Sequence, residues 1–348
     1  MAGAVPLSEI FSFPPQQPGE PSTRNWYSEL LGHPDCQNNP AKIQEAYEHF
    51  RSTSLARSIS SCLAVQDSNS TPSIAAEDNQ PPTQFITPDS ALIRYLKLRA
   101  QNESPGDGTR HREIEELSNQ DANCLVIWAR PDTRTLNLLV KIQSCLSNLV
   151  GPDLHLIPRD DMHLSVIELS HRHSVTHLRS VYDKVGVEQL RKLLDVPRSE
   201  YNMNKSIARL AKPKIIFDKV GVAVAFVPAE DSYSYHHLRN QLHTMALTTG
   251  VSIDTCYTAP IAHVTVGRFV GNDFFEASGG GGTIDAKRHN MEKWLGLIEQ
   301  TNEDLQREYW GDWVWGVGEE KPLEVQLGYV KFGRQTEKAD LMGNTLEN

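Results

Sequence analysis

The 348 residues carry 39% hydrophobic and 22% charged side chains, enough apolar content for one two-lobed core with an appendage. The net charge is −10, with 9 basic against 15 acidic residues in 1–120 and 25 against 29 thereafter. Neither part has the basic surface that grips long duplex nucleic acid, whereas a nucleotide or short RNA end needs only local donors for one phosphate.

The apolar run at 220–227 is too short to span a bilayer, and the opening Met1, Ala2, Gly3 lacks the basic residues of a secretory leader. Cytoplasm or nucleus is the expected compartment. Cys36, Cys62, Cys124, Cys145 and Cys256 are scattered, odd in number and without a CxxC pair, so they read as reduced, mostly packed thiols.

In chain order, 1–63 reads as an N-terminal extension whose Pro-, Ser- and Gln-rich beginning is expected to be disordered. Trp26 to Leu31 suggests a turn of helix. Asn39 and Pro40 mark a helix start, with Ile43, Ala46, Tyr47 and Phe50 at i, i+3, i+4, i+7, and this helix is expected to lie on the back of the main domain. A linker over 64–120 is rich in Asp, Ser, Asn, Pro and Thr, partly disordered, with Asp89 capping a short helix near 89–100. The domain proper is expected over 121–335, followed by a tail over 336–348.

Within that domain one unit occurs twice. A hydrophobic strand stretch, Cys124-Leu125-Val126-Ile127-Trp128-Ala129-Arg130, runs into Pro131, then a helical stretch with Leu136, Leu139, Val140, Ile142 and Leu146, then Met162-His163-Leu164-Ser165-Val166. A second strand, Val222 to Val227, runs into Pro228, then a helical stretch with Leu238, Leu242, Met245 and Ala246, then Ala262-His263-Val264-Thr265-Val266. Alternate side chains of a strand share a face, so each copy presents an imidazole and a hydroxyl on one side over an apolar underside. A duplicated unit carrying the same polar pair at the same place predicts a shared two-histidine cleft in an α+β domain of two lobes.

Two His-apolar-Ser/Thr-apolar motifs on paired lobes resemble the two-histidine (2H) phosphoesterase superfamily, which includes 2′,5′ RNA ligases and cyclic nucleotide phosphodiesterases. The resemblance covers about 121–335, with 125–130 and a closing strand near 323–329 similar to the family's first and last strands. It implies a pseudo-twofold α+β fold, antiparallel sheets lining a central cleft with helices outside. It also implies that His163 and His263 are catalytic, that Ser165 and Thr265 bind phosphate, and that the substrate is a ribose cyclic phosphate of a nucleotide or RNA end. Ser165 stands where the family frequently has Thr.

The residues supply the matching chemistry. Two imidazoles can divide the tasks of base and acid, and two hydroxyls can donate to the nonbridging oxygens, so the arrangement needs no metal or other cofactor. Tyr257, just before the second motif, is a candidate for stacking on a base. Arg268 lies at an odd offset from His263 and is expected on the opposite face of a regular strand. The stretch Tyr235-His236-His237-Leu238-Arg239 reads as the solvated side of a helix, and the glycines 279–282 as a surface loop rather than a phosphate cradle. A rival reading places a metal between His173 and His177, four apart as on one face of a helix, though the carboxylate of an HExxH motif is missing. A third makes the cleft a nucleotide or RNA-end binding module without turnover. A monomer is expected.

Overall fold

The computed structural model describes residues 22–67, 86–101, 123–253, 260–278, 282–330, 332–333 and 339–346. The expected disorder at the beginning, most of the polar linker, Tyr257, Cys256 and Gly279 to Gly281 lie outside the described residues.

The chain folds as α+β. Near the beginning, helix α1 (Trp26–Gly32) starts where the Asn25 side chain accepts from the amides of Tyr27 and Ser28. Helix α2 (Pro40–Asp67) begins at the expected proline, with Asn39 Oδ1 accepting from Ala41 N at 2.9 Å. It runs past 63, so the expected boundary between extension and linker falls inside a helix. Ile43, Ala46, Tyr47 and Leu55 of α2 belong to the same buried cluster as the sheet, which makes this helix part of the core. Helix α3 (Ser90–Gln101) is capped by Asp89, whose Oδ1 accepts from Ala91 N and Leu92 N at 3.1 Å each.

The first copy of the duplicated unit comprises β1 (Cys124–Ala129), α4 (Thr133–Val150), the short β2 (Leu154–Leu156) and β3 (Leu164–His171). Three helices follow, α5 (Val175–Val185), α6 (Val187–Leu194) and α7 (Val196–Asn204). Then come β4 (Arg209–Phe217) and the second copy, β5 (Gly221–Pro228), α8 (Tyr235–Leu247) and β6 (Ala262–Phe269). Helix α9 (Ile284–Tyr309), β7 (Val314–Gly316), β8 (Glu324–Gly328) and β9 (Leu341–Met342) complete the described chain.

The strands form one sheet in the order β7, β4, β5, β6, β3, β1, β8, β9, with β2 beside β6, and every pairing is antiparallel. Strand β4 is irregular near its middle. Lys212 adopts φ +52° and Pro213 follows it, so the chain steps out of register between Ala211 and Lys214 and then resumes pairing with β5. The two copies of the unit meet at a single residue pair, Leu164 opposite Val264. Past that pair the edge of β6 is taken by β2, with Leu156 opposite Gly267.

The crossover helices seal this seam in equivalent ways. Gln143 on α4 donates from Nε2 to Val266 O at 2.7 Å and to Ile157 O at 2.8 Å. Arg239 on α8 donates from Nε to Val166 O at 3.0 Å and from Nη1 to Ile261 O at 3.3 Å. Val166 and Val266 each stand three residues after a motif histidine. Their carbonyls are buried, and an unpaired buried acceptor is costly.

The Tyr235 to Arg239 stretch is therefore not a solvated helix face. Tyr235, His236 and Arg239 are buried, Arg239 Nη2 donates to the Tyr27 hydroxyl at 2.8 Å, and the Tyr47 hydroxyl lies 3.0 Å from His236 Nδ1. Polar residues at helical spacing look solvated until α1 and α2 cover them with tyrosines.

Candidate active site

Because Leu164 and Val264 are opposed in an antiparallel ladder, the register sets His163 across from Thr265 and Ser165 across from His263, all four on one face. The burial alternates accordingly. Met162, Leu164, Val166, Ala262, Val264 and Val266 are fully buried beneath, whereas the four motif side chains are half-buried above. The strand β1 residue on this face, Trp128, is opposite Ser165 and stacks flat against the His163 ring, centroids 3.5 Å apart and planes 11° apart.

His163 sits immediately before β3, after a turn of 3-10 helix over Arg159–Asp161. Its Nδ1 lies 2.8 Å from Asp161 O. A carbonyl oxygen only accepts, so Nδ1 carries the proton of the neutral ring and Nε2 presents a lone pair. Burial and, to a lesser degree, the charges of Arg130 and Arg268 and the neighbouring His263 push its pKa down to about 3, against the Asp161 hydrogen bond. Burial, followed by Arg268, pushes His263 down to about 4. Both imidazoles are neutral in the free protein at neutral pH.

Arg268 is the residue that sequence reasoning sent to the wrong face. The pairing of β5 with β6 slips between Val222 and Ala223: Ala223 opposes Thr265, Val222 opposes Gly267 and Gly221 opposes Arg268. The extra residue, Val266, reverses the alternation and returns Arg268 to the face of His263 and Thr265. Glycine inside a strand is the available signal, since Gly267 accompanies the bulge and a Cβ there would meet Leu154 at 2.8 Å. Arg268 Nη1 donates to Asp89 Oδ2 at 2.9 Å, and its guanidinium lies 5.3 Å from the Phe332 ring centre. Its buried Nε has no hydrogen-bond partner among the described residues.

The two arginines that act on His163 are each ion-paired, Arg130 with Glu324 at 4.0 Å and Arg268 with Asp89 at 2.9 Å. Burial, with Arg130 and Arg159, lowers the pKa of Lys321 against the charges of Glu320 and Asp160.

The rival metal pair lacks its helical premise. Helix α5 starts at Val175 with Ser174 as its cap, so His173 precedes the helix and His177 lies in its first turn. The two rings nonetheless pack 4.1 Å apart. The one group of three or more potential metal ligands among the described residues is elsewhere: Cys124, Glu168 and His171, all buried. Sequence reading took Cys124 as a packed thiol. Tyr257 is outside the described residues, so its place relative to the cleft is not part of the geometry above.

No family model matches the chain, and neither a curated protein nor a solved structure matches it. No helix among the described residues is long and apolar enough to cross a membrane.

Proposed function

We propose that this protein is a metal-independent phosphodiesterase that opens 2′,3′-cyclic phosphates of nucleotides or RNA ends, or a related ribose cyclic phosphate. In this reading the domain is a two-lobed, pseudo-twofold 2H phosphoesterase fold, with β1, β3 and β8 in one lobe and β4, β5 and β6 in the other. The observation that carries it is the opposition of the two motifs at Leu164 and Val264, which sets two imidazoles and two hydroxyls on one face.

In the reaction one imidazole takes a proton from water as the water oxygen bonds to phosphorus. The other gives a proton to the ribose oxygen as its bond to phosphorus breaks, and the product is a phosphomonoester. The phosphodiester anion supplies the protonation that the free site lacks, because a negative charge beside a buried imidazole favours its cationic form. Ser165 and Thr265 donate to the nonbridging oxygens, and Arg268, with an unspent Nε donor, adds charge at the same place. Release of ring strain lowers the remaining barrier. Joining a 2′,5′ bond follows the same path with a ribose 5′-hydroxyl in place of water: its oxygen bonds to phosphorus as the bond from phosphorus to the 3′ oxygen breaks.

Incubating the protein with 2′,3′-cyclic nucleotides and short RNAs ending in a cyclic phosphate, with chelator present, tests the assignment. The expected result is a phosphomonoester product formed at undiminished rate. Tight binding of these ligands with no turnover would instead support the binding-module reading.

A further inference from the structure

The strand that follows His163, β3, ends in a second cluster on the face of Ser165 and Trp128. Cys124 and His171 are cross-strand partners of β1 and β3, and Cys124 Sγ lies 3.1 Å from His171 Nδ1. Glu168 Oε1 lies 3.2 Å from that same nitrogen. One donor atom from each of the three residues falls within 4.8 Å of the other two. All three side chains are buried.

Glu168 and His171 are three apart, a spacing that sends side chains to opposite faces of a regular strand. The pairing with β1 slips between Leu125 and Val126, so Glu168 opposes Val126 and Ser170 opposes Leu125, with Leu169 as the extra residue. That bulge is what brings carboxylate, imidazole and thiol together.

Two chemistries compete for such a trio. A nucleophilic relay sets the thiol on one ring nitrogen and the carboxylate on the other, so that a proton passes through the imidazole. Here both partners lie on Nδ1, which rules out that relay and leaves three potential ligand atoms within 4.8 Å of one another. For a tetrahedral zinc ion with bonds of about 2.0 to 2.3 Å, neighbouring ligand atoms stand roughly 3.3 to 3.5 Å apart, close to the two observed contacts. A carboxylate and a thiolate buried side by side are balanced by one divalent cation, and the mixed S, N, O set suits a borderline-soft ion rather than calcium or magnesium.

We propose that Cys124, Glu168 and His171 bind one zinc-like divalent cation, with a water as fourth ligand, and that the ion clamps the start of β1 to the end of β3. This site stands apart from the phosphodiester reading, and its readout is bound metal rather than turnover.

Chelator-treated full-length protein is titrated with cobalt(II) as the optical probe and then with zinc(II). The expected result is one cobalt per chain with a thiolate-to-cobalt charge-transfer band, displaced by one zinc. The band is absent in Cys124→Ser and retained in Cys145→Ser, which alters an exposed thiol. Glu168→Gln and His171→Ala weaken binding at least about tenfold, the least that loss of even an outer partner of a metal site brings. Should Cys124→Ser fail to fold, X-ray absorption of the zinc-loaded wild type decides, with one sulfur and a nitrogen and oxygen remainder expected. Substoichiometric metal, a zinc shell without sulfur, or binding lost in His173→Ala but kept in His171→Ala would each overturn the assignment.

Discussion

Leu164 and Val264 are direct backbone partners at the seam of the sheet, and each immediately follows a motif histidine. A slip of one residue at this seam would turn the imidazoles and hydroxyls of one strand into the core. The pair keeps His163, Ser165, His263 and Thr265 on the open face by holding the apolar face shut.

In the proposed reaction Ser165 and Thr265 serve as oxyanion donors. Ser165→Ala and Thr265→Ala each lower turnover on cyclic phosphates by about ten to a hundredfold, since the other hydroxyl and Arg268 still reach the phosphate. Steady-state kinetics on both variants check this. A loss confined to KM would place these hydroxyls in ground-state binding instead.

Arg268→Met raises the pKa of both imidazoles, and that of His263 more. Its guanidinium is the largest cause after burial at His263 and a lesser one at His163. An NMR titration of the imidazole carbons in wild type and variant reads this directly. Movement at His163 alone would contradict the bulge at Val266 as the device that aims Arg268.

Much of this arrangement is legible in the sequence, and what is not has a common cause. The motif strands, the helices α4 and α8 and the cap at Asp89 follow from local periodicity and capping chemistry. The slips beside Val166, Leu169 and Val266 do not, because a bulge is set by how two strands twist against each other and leaves at most a glycine as a trace. Those slips decide the faces of Arg268, Glu168 and His171. The buried role of Arg239 is equally hidden, since its partners Tyr27 and Tyr47 lie some two hundred residues earlier in the chain.

Arg239→Met destabilises the fold by about 3 to 5 kcal/mol, because it strips partners from Val166 O and Ile261 O and from two buried tyrosine hydroxyls. Gln143→Leu, at the equivalent place on α4, costs about 1 to 3 kcal/mol. Urea denaturation at neutral pH measures both. Equal and negligible losses would show that the seam does not need these side chains.

Acid lowers stability through buried neutral histidines. Burial holds His163 and His236 down to about 3, and His243 and His263 to about 4, from an ordinary 6.5. Across the window from 6.5 down to these values the unfolded chain binds more protons than the folded one. Stability therefore rises with pH through that window and is lost as pH falls through it. Each histidine adds up to about 1.4 kcal/mol per pH unit to the slope. His236→Gln, remote from the motif face, flattens the slope by about one such increment in urea midpoints taken between about pH 4 and 6. An unchanged slope would mean that His236 is protonated in the folded state.

The most direct measurement compares cyclic-phosphate opening by His163→Ala, His263→Ala and the double variant in one assay. Two halves of a single proton transfer act as a unit, so each single variant loses about 10² to 10⁴ in turnover and the double is scarcely slower than the worse single. Wild-type turnover in either single variant, or losses that multiply in the double, would contradict a cleft in which these two imidazoles share one reaction.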